Sequence, residues 1–288
     1  MAEPMGFFTD TTLCIGCKAC EVACKEWNQL PAINGGQNTL SGDSYDNTRR
    51  LDGINWRHVR FVEQFDATDP RRTGGRWLLM SDVCKHCVEA GCLEVCPTGA
   101  IIRTQFDTVV IQSDVCNGCR DCIAACPFDV IGINAANHTA MKCNLCYDRM
   151  LGGLTPACAQ ACPTASIQFG PLHALRARAD QRVQQLRQRG ESRAYVYGVQ
   201  GDGYTDRIGG LNAFFLLVDR PQVYGLPERP MLPSRNNLPG WLLGWGSALV
   251  ATVVGLLAFR QHRMAAVEEA VAVSASGREP AAGREEEA

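Results

Sequence analysis

Cys116-Asn-Gly-Cys119-Arg-Asp-Cys122-Ile-Ala-Ala-Cys126-Pro127 reads C-x2-C-x2-C-x3-C-P. Three thiolates on one tight loop can grip one face of a [4Fe–4S] cube. The fourth, one helical turn further on, faces away and ligates a different cube. Pro127 fixes φ and removes a backbone N–H where the chain leaves the site. One such run therefore predicts a second cluster and a second run to complete it.

The chain supplies three more. Cys14, Cys17, Cys20 and Cys24 repeat the x2, x2, x3 spacing. Cys84, Cys87, Cys92 and Cys96 read x2, x4, x3, and Cys143, Cys146, Cys158 and Cys162 read x2, x11, x3. The four groups use all 16 cysteines. At four thiolates per cube the expected cofactors are four [4Fe–4S] clusters. Two plainer readings compete. Disulfide frameworks do not bunch cysteines two or three residues apart four times over, nor set Pro after the last Cys of three groups in four. Zinc suits the x2, x11, x3 group taken alone, but not the runs that crowd three ligands on one loop.

Cys96-Pro97-Thr98-Gly99-Ala100-Ile101, Cys126-Pro127-Phe128-Asp129-Val130-Ile131 and Cys162-Pro163-Thr164-Ala165-Ser166-Ile167 share a C-P-x3-I frame. Each predicts a short helix carrying the fourth Cys, then a strand. Residues 100–104 and 108–112 predict a hairpin closed around Gln105-Phe106-Asp107. The expected fold is α+β: two ferredoxin-like modules of the bacterial 2[4Fe–4S] type with insertions, plus one C-terminal transmembrane helix. Adjacent runs in such modules exchange their fourth cysteines. The inner two groups then pair with each other, and the outer two pair around them. Cys14, Cys17 and Cys20 join Cys162; Cys143, Cys146 and Cys158 join Cys24. Cys84, Cys87 and Cys92 join Cys126; Cys116, Cys119 and Cys122 join Cys96.

The cluster domain is expected over 1–224, with an insertion at 25–83. The insertion predicts paired strands over 54–65 and 76–81, with turn signals at Pro70 and Gly74-Gly75 between them. An amphipathic helix is predicted over 171–189, with Leu172, Leu175, Val183 and Leu186 as its apolar positions. Strands are predicted over 194–199 and 213–218. A Pro-rich linker or extended arm follows at 225–237. Residues 238–259 are 22 uncharged, mostly apolar residues, long enough to cross a hydrocarbon core of about 30 Å. Trp241 and Trp245 sit where an interfacial belt would be. Arg229 and Arg235 precede the span and Arg260 and Arg263 follow it, so the positive-inside rule ties. A polar, disordered tail is expected over 260–288.

A net charge of −2 gives no basic field for nucleic acid. No basic n-region and apolar h-region precede Cys14, so no secretory signal is expected. No phosphate loop, nucleophile triad or paired-carboxylate site is visible. His86 reads as an exposed loop histidine. The chain is expected to conduct electrons rather than host a reaction.

Cys14-Ile-Gly-Cys17-Lys-Ala-Cys20-Glu-Val-Ala-Cys24-Lys-Glu-Trp27-Asn28, residues 116–128, Pro156-Ala-Cys158-Ala-Gln-Ala-Cys162-Pro163-Thr164, Tyr224-Gly225-Leu226-Pro227 and the single span carry a further signal. Together they resemble the iron–sulfur (beta) subunit of membrane-bound respiratory formate dehydrogenase, over nearly the whole chain. The resemblance implies the crossed pairing above. It also implies a catalytic alpha subunit with a molybdenum or tungsten bis-pterin and a membrane cytochrome b gamma subunit, in a membrane-anchored hetero-oligomer. Electrons from formate would pass along the clusters to haem and quinone, with the soluble part outside the cytoplasmic membrane. The cysteine runs alone suit equally the electron-transfer subunit of a hydrogenase or of a polysulfide, thiosulfate or tetrathionate reductase.

Overall fold

Phe7-Phe8 and Ala213-Phe-Phe-Leu-Leu217 are apolar on consecutive residues, so each strand must be covered on both faces. The structure, a computed structural model, describes residues 3–36, 45–65 and 75–276. Its strands are β1 (Met5–Asp10), β2 (Arg57–Gln64), β3 (Arg76–Val83), β4 (Ile101–Arg103), β5 (Val109–Ile111), β6 (Gly132–Ile133), β7 (Ala140–Met141), β8 (Ile167–Pro171), β9 (Tyr195–Tyr197) and β10 (Ala213–Leu217). Its α-helices are α1 (Ala19–Trp27), α2 (Gly91–Glu94), α3 (Asp121–Ala124), α4 (Tyr147–Leu151), α5 (Ala157–Gln160), α6 (Leu172–Gln188) and α7 (Leu238–Ala275).

One four-stranded sheet, in the order β8-β1-β10-β9, frames the domain. β1 runs parallel to β10, from Phe7 opposite Ala213 to Asp10 opposite Leu216, and both flanking pairs are antiparallel. Every residue of β10 is buried. The helix expected over 171–189 is α6. Leu172, Leu175, Val183 and Leu186 are buried as expected, with Ala179 between them. This stripe packs on β1, each large apolar side chain contributing about 1.5–3 kcal/mol of burial. The Asp10 carboxylate, itself buried, accepts from Arg182 Nε at 2.8 Å and fixes helix to sheet.

The three hairpins that carry the cysteine loops lie outside this sheet. β2 pairs with β3, β4 with β5 and β6 with β7, all antiparallel. The predicted hairpin around Gln105-Phe106-Asp107 closes as expected: the Thr104 N–H donates to Thr108 O, and Gln112 N–H to Ala100 O. The expected β2–β3 pair is present too. Pro70 and Gly74, read as its turn, lie outside the described residues.

One expectation is corrected. The short helices α2, α3 and α5 carry the third cysteine of their groups, Cys92, Cys122 and Cys158. The fourth cysteines, Cys96, Cys126 and Cys162, lie just past the helix ends. The following proline is the reason: it disfavours the α conformation at the residue before it. Cys24 is followed by Lys25 instead, and there α1 runs on to Trp27 with both Cys20 and Cys24 inside it.

The segment read as a linker is packed on the domain as far as Leu232. Leu226 and Leu232 are buried, and Tyr197 Oη donates to Pro227 O at 2.7 Å. α7 belongs to a separate unit that begins at Ser234. It is 38 residues long, and among the described residues it is the one helix long and apolar enough to cross a membrane. The tail expected to be disordered from residue 260 is helical as far as Ala275; residues 277–288 lie outside the described residues.

Candidate metal centres

The four ligand loops share one backbone feature. The residue before the second cysteine is left-handed in every group: Gly16 (φ 68°), His86 (φ 44°), Gly118 (φ 73°) and Leu145 (φ 59°). This turn aims backbone N–H groups at sulfur. The Leu145 N–H donates to Cys143 Sγ at 3.3 Å, and the Gly16 N–H reaches Cys14. Two of the four positions are glycine, which takes this conformation freely. His86 and Leu145 do not, and both are buried, so packing holds them there. The reading of His86 as an exposed loop residue is therefore wrong. Its ring is enclosed because the left-handed turn swings the side chain inward, and its Nδ1 accepts the Val109 N–H at 3.1 Å.

The C-P-x3-I frame has a similar purpose. Cys96 accepts from the backbone of Thr98, Ala100 and Ile101, and Cys126 from Phe128 and Val130. Past the proline the chain curls back over the fourth sulfur.

None of the 16 cysteines is in a disulfide, and the fold gathers them across groups. Cys14, Cys17, Cys20 and Cys162 line one hollow. Cys84, Cys87, Cys92 and Cys126 line another. Cys24 lies in the field of Cys143, Cys158 and Cys146. Cys122 lies in that of Cys116, Cys119 and Cys96. Each set combines three cysteines of one group with the fourth of another.

A cubane fits this donor set. Among the described residues no three His, Cys, Asp or Glu side chains close on a single metal ion. Burial, aided by neighbouring sulfurs, pushes the Cys122 thiol up to about 11 and Cys92 up to about 12. Burial likewise takes Cys20 and Cys143 up to about 12, although Arg57 opposes it. Thiolates this crowded need cationic metal among them to ionise. Cys96 goes the other way: slight burial raises it, but the N–H groups around it outweigh that and lower it. His86 Nε2 is buried without a protein partner, and His86 lines the Cys84 hollow.

Three further residues were not legible as site residues in the sequence. Arg57, 2% exposed, donates from Nη2 to Cys158 Sγ at 3.1 Å. Ser81 Oγ lies 3.2 Å from Cys20 Sγ and 3.3 Å from Arg57 Nη1. Lys142 is buried beside the Cys84 hollow. Arg57 and Ser81 sit in strands of ordinary alternation, where nothing local distinguishes a buried cation from a surface one. Lys142 does adjoin Cys143, and that adjacency was the available hint.

Two family models, each described as a 4Fe-4S dicluster domain, match residues 13–100 and 75–172. The formate dehydrogenase-O iron-sulfur subunit of Escherichia coli (strain K12) is 40% identical over 234 residues, 79% of this chain and 72% of that protein. The formate dehydrogenase iron-sulfur subunit of Haemophilus influenzae is 40% identical over 77% of this chain and 68% of its own. A polypeptide of the anaerobic dimethyl sulfoxide reductase of E. coli is 32% identical, over 61% of this chain and 78% of its own.

Proposed function

Because the chain belongs to the family of formate dehydrogenase iron–sulfur subunits, we propose that it conducts electrons from a formate-oxidising molybdopterin subunit to a membrane cytochrome b partner. Its route is four [4Fe–4S] clusters held in the crossed sets of cysteines. When bound, each cluster takes up and releases one electron. The protein orders the sites, screens them from water and sets their charge.

The observation that carries this reading is the order in which thiols of different sets approach one another. Cys20 of the first set faces Cys158 of the second. Cys143 of the second faces Cys84 of the third. Cys92 of the third faces Cys122 of the fourth. The sets therefore form a line, and its two ends hold the exposed cysteines, Cys17 and Cys119. A line open to the surface at both ends serves a conductor between two partners. The second site, all four of whose cysteines are buried, suits a cluster that exchanges electrons only with its neighbours.

α7 supplies the membrane attachment in this reading. Its first 22 residues, about 33 Å at 1.5 Å per residue, match the bilayer core. The similarity to a dimethyl sulfoxide reductase polypeptide leaves other substrates open to the catalytic partner, and one experiment separates them. The chain is purified anaerobically with whatever subunits accompany it, then given formate. Reduction of the iron–sulfur signal, with a molybdopterin or tungstopterin subunit and a b-type haem in the preparation, is the expected result. Clusters that stay oxidised with formate but reduce with another donor would overturn the formate assignment.

A further inference from the structure

Arg57 is a cation where a fold alone gains nothing from one. Among the described residues no carboxylate lies within ion-pair distance of it. Its Nη1 reaches Ser81 O at 3.4 Å and Ser81 Oγ at 3.3 Å, and its Nη2 reaches Cys158 Sγ at 3.1 Å. Its Nε has no partner, and its guanidinium lies over the Phe7 ring, 4.9 Å from the centroid. An uncompensated buried ion is strongly unfavourable. The anions facing this one are sulfurs of two different sets: Cys158 directly, and Cys20 through the Ser81 hydroxyl.

Lys142 repeats the arrangement one junction further on. It is 3% exposed, and its Nζ donates to Val109 O and, at 3.2 Å, to Cys143 O. It borders the hollow of Cys84, Cys87, Cys92 and Cys126 while adjoining Cys143 of the second set. Among the described residues it too has no carboxylate partner. Lys85, in the same hollow, pairs with Asp82, which also accepts from Arg60 at 3.2 Å, and the thiols it faces, Cys87 and Cys126, belong to one set only.

We propose that Arg57 and Lys142 are built-in counter-charges at the two inner junctions of the line, each raising the reduction potentials of both clusters it lies between. This rests on the four-cluster reading above. A reduced cluster carries one more negative charge than an oxidised one, and a fixed cation in a dry interior favours that charge. A cation placed between two sites favours it at both, so their potentials rise together and the hop between them stays shallow. One electron leaves one cluster and enters the next; the guanidinium and the ammonium are neither oxidised nor deprotonated. The bonded path Cys158–Arg57–Ser81–Cys20 also joins the first two sites through the protein.

The test is an EPR-monitored redox titration of the full chain, in its complex where that co-purifies. Arg57→Met lowers the first two clusters, and Lys142→Met the second and third. Each falls by tenfold or more in its reduction equilibrium, 59 mV for a one-electron couple. The cluster of Cys24, Cys143, Cys146 and Cys158 falls in both variants and furthest in the double variant. Arg57→Lys, which keeps the charge, returns the first two towards wild type. Variants with wild-type iron content and unmoved potentials would overturn the proposal, as would equal shifts in all four clusters. Should Arg57→Met not fold, wild-type protein labelled with ¹⁵N-arginine decides: a nitrogen coupling on a reduced cluster supports the contact, and its absence overturns it. If wild type shows no iron–sulfur signal, the four-cluster reading itself has failed.

Discussion

At Gly118 a Cβ would stand 2.4 Å from the His138 carbonyl oxygen, at a φ of 73°. Gly118→Ala therefore combines a clash with backbone strain of about 1–3 kcal/mol. It should empty the site of Cys116, Cys119, Cys122 and Cys96 and spare the other three, read as a loss of about a quarter of the iron. A full complement of iron in that variant would show that the left-handed turn is dispensable. Cys162→Ala tests the crossing of the sets. Cluster-resolved EPR should show damage to the cluster of Cys14, Cys17 and Cys20, not to that of Cys143, Cys146 and Cys158, although Cys162 lies closer in sequence to the latter. The ligands themselves were legible because their chemistry tolerates one residue type at fixed spacing. His86 was not, because its burial depends on the packing of Val109 and other residues distant in sequence.

The presence or absence of a proline decides whether each cluster helix goes on. Lys25→Pro should end α1 at Cys24. It would remove the two Lys25 Nζ bonds, to Pro31 O and Ile54 O at 2.9 Å each. It would also detach Trp27, whose Nε1 donates to Asp148 at 2.8 Å and whose ring lies under Arg149. Proline inside a helix costs about 3 kcal/mol, and the lost contacts add to that in chemical denaturation of the loaded protein. The β2–β3 hairpin is tied to the end of β10 by Asp219, which accepts from Gln64 at 3.1 Å and pairs with Arg76. Slight burial raises this carboxyl, but the bond from Gln64, the Arg220 N–H and the Arg76 charge outweigh it, and the group sits below its usual range. A depressed native pKa means stability present above the unfolded value of about 3.9 and lost as pH falls through the native one. Hydrogen exchange in β2 and β3 should rise below about pH 4, and Asp219→Asn should lessen that dependence, leaving the part due to Asp82 in β3, whose carboxyl burial raises but Lys85 and Arg60 hold below its usual range. Periodicity made α6 and the hairpins readable. β1 was not read, since its six residues acquire meaning only opposite β10, some 200 positions away. The continuation of α7 past Phe259 was also missed, because a charged sequence that can stay helical resembles one that cannot.

For the molecule as a whole, the sheet and α6 hold three cysteine-bearing hairpins so that fourfold sulfur sites succeed one another in a line. α7 makes the same chain a membrane protein in the proposed assembly. Deleting residues 238–288 should move it from the detergent-extracted to the soluble fraction with its iron retained; a truncated chain that still needs detergent would contradict that role. The central claim is that the sixteen thiols hold four cubes. Iron and acid-labile sulfide in anaerobically purified full-length chain measure it directly. Four cubes of four require about 16 of each per chain; stoichiometric zinc, or iron sufficient for only two clusters, would contradict that.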